Sequence, residues 1–533
     1  MEKMILVKVV RMCYTKVKGV YRDMEKLALI EISNTSIRMT VSKIKEGSYF
    51  VPIMHLQEHV GIDEHIEKDF LIKNAKIREC VAILQMYKKI CEAEGVSRYQ
   101  AVAANNLTQA KNYLTFIEEA GNCIGIEFRL MTKDEEIAAV YNAVTNTLDA
   151  QKGLIINVSA HSVRLVHYNR RIILDSVTIP LGTATLFKQT EGEADQIRKM
   201  TDIFTAELGK AAPFLGNLDP ELVIVGVGDT FTSLANLARK ISKYPIDINH
   251  NYNIPIELFE KVSEFLGGLD PEKRQKLRGV AGQTTQSLLA GMTIIQTVIG
   301  QTKINNIVIG NAYRSTGLLF NYAIPYTVER PVPDLLSYSL DAIIDNLGLK
   351  KSVSEQMYDL ALMLFKQLKV LHKLPRGYAK VLKIAAYLYN VGGLLNGGSE
   401  RNNYHMILSL PLYGASHKDI LLAGFVSSCK RWEDFNLAEW IKYKEILTDD
   451  DLDAARKISA ILAMAEALNI RNQDVVKDIT CDILGDSVII KLITDTDTKN
   501  LKVDPHAANI EIFYAKKYAG EFNRAFKKTL EIL

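Results

Sequence analysis

At 533 residues, 48% of them hydrophobic, the chain exceeds a single core and carries apolar side chains for about two to four domains. Its 65 Lys and Arg against 62 Asp and Glu, net +3, exclude a protein that binds nucleic acid through an overall basic surface; six scattered cysteines (Cys13, Cys80, Cys91, Cys123, Cys429, Cys481) with no C-x-x-C pair exclude a disulfide framework and a zinc ribbon and fit a reducing cytoplasm. No apolar run approaches the roughly 20 residues of a membrane span, and Lys8 and Arg11 interrupt the apolar start MEKMILVKVVRMCYTK, so neither a membrane nor an export route is expected.

The first regular element, KLALIEISNTSIRMTVSKI, reads as two apolar runs about the turn Ser33-Asn34-Thr35, a hairpin. The layout returns in GLIINVSAHSVRLV, Gly153 to Val166, about the turn Ser159-Ala160-His161 with Asn157 and Arg164 as flanking polar residues. Two such hairpins, each followed by helix-rich sequence, predict a duplicated α/β domain with a cleft between its halves. In ELVIVGVGDTFTSLANLARKI a buried strand runs through Gly226-Val227-Gly228 into a helix, whose N-terminus is suited to an anion. After Pro331 and Pro333 the pattern turns helical from Leu335 to about Arg471, broken at Gly392-Gly393 and Gly397-Gly398, which predicts a separate all-helical unit. Alternation in DSVIIKLIT and ANIEIFYAKK, before a basic amphipathic helix, predicts strands of a small α/β cap.

In order, these elements resemble the exopolyphosphatase and guanosine-pentaphosphate phosphohydrolase (Ppx/GppA) family, from about Leu27 to the C-terminus. EISNTSIR sits where that family has D-I-G-S-N-S, RLMTKDEEIAAVYNAV where it has S-G-E-E-E-A, and the second hairpin where it has D-I-G-G-G-S-x-E. GVGDT stands for G-T-G-G-T, GVAGQTTQSLLAG for the R-A-D segment, NAYRSTGLL for G-L-R-x-G-L-L, and AAYLYNVGG for A-A-x-L-H-D-I-G. The resemblance implies two actin-like (ribonuclease-H-like) α/β domains, 27–139 and 140–330, an HD-like helical domain, 335–475, and a C-terminal α/β cap, 476–533. Residues 1–26 have no counterpart and are expected to be a peripheral extension, with Met24 as an alternative start.

The resemblance further implies a cleft that holds a phosphate chain and a divalent cation, with a glutamate activating water. Glu136 stands at the glutamate's position, as a candidate general base or as one acid of an ordinary acidic helix turn. Glu31 keeps an acid in the first hairpin, one methylene longer than the implied aspartate. Asn157 and Arg164 replace two acids, which removes oxygen ligands that Mg²⁺ prefers and adds a cation; Arg164 is then either a direct phosphate contact or a plain surface arginine. Thr108 stands for an arginine, Thr284-Thr285-Gln286 for R-A-D, and Arg314 lies one residue out of register. Asp229 is expected to cap the helix after Gly228. Ser36, Arg164, Gly226, Gly228 and Arg314 are the candidate substrate contacts, and Glu136 and Glu31 the candidate catalytic acids.

At the metal positions implied for the helical domain stand Tyr389, Asn390, Asn402 and Lys430, with His405 three residues past the implied histidine and Asn469 for a later aspartate. No metal is expected there. HLQEH, His55 to His59, matches an H-x-x-E-H zinc pattern, but Pro52 and Gly61 leave little room for the helix it requires, and surface histidines on the edge of the first sheet are the alternative. The expectation is a degenerate family member, weak or inactive as a hydrolase, that binds polyphosphate or a guanosine polyphosphate, as a homodimer or as partner to a catalytic homologue. Its alternative is an active Mg²⁺-dependent exopolyphosphatase.

Overall fold

The computed structural model describes residues 25–45, 48–62, 70–169, 172–270, 273–274, 276–277, 279–280, 285–323, 332–395, 400–494 and 508–533. Residues 1–24 of the expected extension, Met24 included, and Thr284 lie outside the described residues, whereas Glu25 and Lys26 open the first strand. The chain divides into two compact units between Leu335 and Leu336.

The first unit holds two mixed sheets. In the first, β1 (Glu25–Ile32), β2 (Ser36–Lys45) and β3 (Tyr49–His59) form an antiparallel meander, and β4 (Arg98–Ala103) and β5 (Phe128–Leu130) extend it in parallel from β1, giving the order β3-β2-β1-β4-β5. β1 is central because Leu27 to Ile32 are buried without interruption, the pattern of a strand covered on both faces. Helices α1 (Asn74–Ala93) and α2 (Tyr113–Ile124) supply Leu84, Tyr87, Phe116 and Ala120 to the core of this half.

The second sheet repeats the plan. β6 (Lys152–Val158), β7 (Val163–Asn169) and β8 (Ile172–Ile179) form the meander; β9 (Val223–Val227) and β11 (Asn306–Gly310) continue in parallel from β6, and β10 (Asn253–Pro255) pairs antiparallel outside β11. The order β8-β7-β6-β9-β11 is that of the first sheet, as a duplicated domain requires.

Two helices exchange sides between the halves. α3 (Lys133–Thr145) follows the first sheet but buries Ile137, Val140, Tyr141 and Val144 with Ile155, Val166, Tyr168 and Val225 of the second. α5 (Arg314–Ala323), which follows the second sheet, returns to the first, where Phe320 meets Phe50 edge to face at 4.9 Å. Between them in sequence, α4 (Asp229–Ser242) follows β9. α3 and α5 touch at Gly317, where any Cβ would overlap the Ala139 carbonyl oxygen. Only glycine permits so close a backbone approach.

The second unit packs helices that include α6 (Tyr378–Tyr387), α7 (Glu400–Ser409), α8 (His417–Ser427) and α9 (Asp449–Leu468), followed by a sheet of β12 (Val476–Ile483), β13 (Ser487–Thr494) and β14 (Thr529–Ile532) in that order. ANIEIFYAKK is not a strand: Asn509–Lys516 is helix α10, ahead of α11 (Ala519–Phe526). Its inward residues are Ala508, Glu511 and Ala515, a helical spacing. The alternation misled because Glu511 is buried as the partner of Arg471, at 2.6 and 2.7 Å, which no hydrophobic pattern can register.

Candidate functional site

The two hairpins are superimposable as sequence: Glu31-Ile-Ser-Asn-Thr-Ser-Ile-Arg38 and Asn157-Val-Ser-Ala-His-Ser-Val-Arg164 align without gaps. The matched serines build the same turn twice. Ser33 donates from N and Oγ to the Ser36 carbonyl, both at 2.9 Å, and Ser159 does so to Ser162, at 3.0 and 2.8 Å. The second serine's amide returns a bond to the first serine's Oγ, at 3.1 and 3.3 Å. Ser36, an expected substrate contact, is thus buried and holds the turn closed.

In each hairpin the loop after the third strand covers the turn carbonyls. Ile62 donates to Asn34 and Val60 to Thr35 at 2.6 and 2.9 Å; Thr183 donates to Ser159 and Ala184 to Ala160 at 3.0 and 2.9 Å. The turns therefore keep their oxygens occupied within the protein, while the amides of Asn34, Thr35 and Ala160 donate to no protein acceptor among the described residues. Such outward amides suit an anion.

The register sets Glu31 opposite Arg38 and Asn157 opposite Arg164, yet the acids pair elsewhere. Arg314, at the start of α5, reaches Glu31 Oε1 with Nε and Glu136 Oε1 with NH1, both at 2.9 Å. Arg164 holds Glu136 Oε2 through NH2 and lies 3.4 Å from Asn157 Oδ1 through NH1. The Asn105 amide is the third donor to Glu136 and the second on its Oε1, at 3.1 Å. Glu31 and Glu136 are 3% and 2% exposed, and the Arg164 and Arg314 side chains 12% and 19%. Burial works against the charge of Arg314, but its two carboxylate neighbours outweigh that and raise its affinity for the proton.

This arrangement corrects two sequence readings. Arg164 is no plain surface arginine; it is largely shielded and paired with a buried acid that comes from α3. Glu136 does lie in the acidic first turn of α3, but it is buried and paired with arginines, and the capping residue is its neighbour Glu135, which exchanges bonds with Thr132 in a capping box. The offset of Arg314 by one position is absorbed because it opens α5 beside the Gly317 crossing, which carries it to both acids.

The remaining expected residues lie around this centre in different roles. Gly226 sits within β9, where a Cβ would overlap the Phe231 ring; it is glycine for packing. Gly228 has φ +103° and stands beside hairpin two, with Val158 O and Asn157 Nδ2 at 3.1 and 3.3 Å from where a Cβ would be. Asp229 does not cap α4, since Gly228 is the N-cap residue and no side chain caps that end. Burial holds the Asp229 carboxyl above its usual range, opposed by the charge of Arg38. Thr108 is exposed and donates to the Asn105 carbonyl at 2.8 Å, so it supports the residue whose amide meets Glu136 and touches neither acid.

Sequence reasoning missed Arg38. Its guanidinium lies 5.8 Å from the centre of the Tyr313 ring, its Nε is buried without a partner, and among the described residues no hydrogen bond joins it to another side chain. The signal was the gapless hairpin repeat, which places an arginine at the same step of both. Asn105 was also missed, because only its backbone acts.

In the second unit Lys430 donates to Glu466 at 2.7 Å, and His405 is exposed. Asn403, unremarked in the sequence, ties the loop after α6 by accepting from the Gly392 amide at 2.7 Å and donating to the Tyr389 and Ser427 carbonyls at 2.6 and 3.0 Å. HLQEH lies on β3, at the edge of the first sheet. On a strand its two histidines stand about 13 Å apart along the chain instead of one helical turn, so the zinc geometry is not formed. No described helix is long and apolar enough to cross a membrane.

The sequence profile of the Ppx/GppA phosphatase family matches residues 40–322, more than half of the chain. Among solved structures, an Aquifex aeolicus Ppx/GppA family member is 22% identical, with a TM-score of 0.51, over 57% of this chain and 99% of its own. An exopolyphosphatase from Cytophaga hutchinsonii is 15% identical, with a TM-score of 0.51, over 56% of this chain and 98% of its own. No curated protein matches the sequence. At such identities the structural likeness speaks for the fold of the first unit.

Proposed function

The chain belongs to the Ppx/GppA phosphatase family, and from that premise we propose that it binds a phosphoanhydride anion, polyphosphate or a guanosine polyphosphate, between its two serine hairpins, without a divalent cation and with little or no hydrolysis. The observation that carries this reading is the pairing of both Glu136 oxygens, with Arg314 and Asn105 on one and Arg164 on the other. A carboxylate with both oxygens already taken by protein donors is poorly placed to hold and orient an attacking water.

The divalent cation implied by family resemblance does not fit these residues. Glu31 and Glu136 already neutralise arginines, Asn157 offers a neutral oxygen that faces Arg164, and the described residues hold no cluster of three acids, histidines or cysteines placed to share an ion. A hard cation would have to displace guanidinium groups from the carboxylates it needs. Arg164, Arg314 and Arg38 instead offer the anion charge and paired hydrogen bonds directly.

The second unit is read, within this proposal, as a metal-free HD-like domain followed by a C-terminal cap, in a cytoplasmic protein that pairs with itself or with a catalytic homologue. The deciding experiment measures phosphate release from long-chain polyphosphate with Mg²⁺ beside binding in EDTA. Binding in EDTA that weakens when Mg²⁺ is added, with negligible release, is the expected result. Strong Mg²⁺-dependent release that is abolished by Glu136→Ala overturns the reading in favour of an active exopolyphosphatase.

A further inference from the structure

Three donors from three parts of the first unit converge on one buried carboxylate. The Asn105 amide comes from the loop after β4, Arg314 from α5 and Arg164 from β7, and Glu136 fills the space between them. Two guanidinium groups and a backbone N–H are what a phosphoryl group asks of a protein. We propose that Glu136 is an internal anion: its carboxylate occupies the place of a phosphoryl group, and the incoming phosphoanhydride binds by displacing it. The proposal rests on the anion-binding reading above and adds what that reading leaves open, namely what holds the arginines before the ligand arrives.

The physical argument is one of exchange. Arginines buried without a counter-ion would be costly, and Glu136 removes that cost in the free protein. A phosphoryl oxygen and a carboxylate oxygen accept from guanidinium in the same geometry, so ligand and side chain compete for the same donors. Glu31 stays as a second partner for Arg314, which keeps α5 in place during the exchange. The same competition makes the free protein a weaker anion binder than its two largely shielded arginines alone would be.

The test uses inorganic tripolyphosphate in EDTA with the full chain, titrated calorimetrically into the unmodified protein, Glu136→Gln and Asp134→Asn. Asp134 is exposed on the same helical turn, so its substitution measures the general effect of one less negative charge. Displacement predicts that Glu136→Gln binds at least about tenfold more tightly and Asp134→Asn within about twofold of the unmodified protein. In the unmodified protein, saturating tripolyphosphate should move the Glu136 side-chain carboxyl carbon resonance, read by isotope-edited NMR, toward that of an exposed glutamate, because the displaced carboxylate loses its guanidinium partners. Binding by the unmodified protein with an unmoved Glu136 carboxyl resonance, and no gain in Glu136→Gln over Asp134→Asn, overturns the internal anion and leaves the anion-binding reading standing. If none of the three proteins binds tripolyphosphate, the anion-binding reading itself falls. Should Glu136→Gln fail to fold, the Glu136 carboxyl resonance of the unmodified protein decides alone.

Discussion

The first hairpin places Glu31 across the ladder from Arg38, an acid and a base at the distance where cross-strand pairs form, whereas the second places Asn157 across from Arg164. The backbone of the two turns is the same to the level of individual serine bonds. Their charges are nevertheless satisfied by different elements: Glu31 turns to Arg314 and leaves Arg38 against the Tyr313 ring, while Arg164, lacking an acid on its own hairpin, takes Glu136 from α3. The comparison teaches that a duplicated strand pair transmits its shape but not its electrostatics. Partner choice belongs to the two helices that pass between the halves and cross at Gly317.

The largest way to break this comparison is therefore at the crossing. Gly317→Ala should destabilise the first unit by about 4 kcal/mol or prevent its folding, since the obstacle is a backbone carbonyl that cannot step aside; calorimetry on the purified variant, or its absence from the soluble fraction, checks this. Arg314→Met leaves Glu31 buried with no cation and Glu136 with one, and should cost about 3 kcal/mol, read as a lower transition temperature of the first unit. If that variant is as stable as the parent, the acids are not held as described.

Smaller changes sharpen the likeness of the two turns. Ser33→Ala and Ser159→Ala each remove a side-chain bond to a carbonyl and the return bond from the second serine's amide and should cost about 2 kcal/mol apiece, equal within error; a marked inequality would show that only one turn depends on its serine. The smallest effect concerns Asp229, whose folded carboxyl is held above the usual aspartate range by burial, against the charge of Arg38. The folded state then binds more protons than the unfolded one, so stability falls as pH rises from the ordinary aspartate range through the raised folded value. Asp229→Asn should abolish that fall and stabilise the protein at neutral pH by on the order of 0.5 kcal/mol, with no gain below the ordinary aspartate range. Urea midpoints at acidic and neutral pH measure the difference.

The fold of the first unit was largely legible in the chain. Apolar runs broken by Ser33-Asn34-Thr35 and Ser159-Ala160-His161 specify two hairpins through local turn chemistry and period-two burial, and their recurrence specifies the duplication. Glu136, Arg164 and Arg314 were also legible as residues of interest, by position. Their relationship was not, because Glu136 and Arg314 lie 178 residues apart and nothing in either neighbourhood records the other. The same limit explains Glu511, where an inward acid made a helix look like a strand until Arg471 supplied its partner.

Composition, periodicity and turn residues thus determined by themselves the two hairpins and their duplication, which depend on interactions close along the chain. Tertiary structure alone decided that Arg164 pairs with a buried acid, that Arg314 bridges two acids, that Asp229 leaves its helix uncapped and that Arg38 lies against Tyr313. Burial and charge pairing are properties of where helices cross, and a crossing such as that of α3 over α5 is set by the packing of both sheets at once.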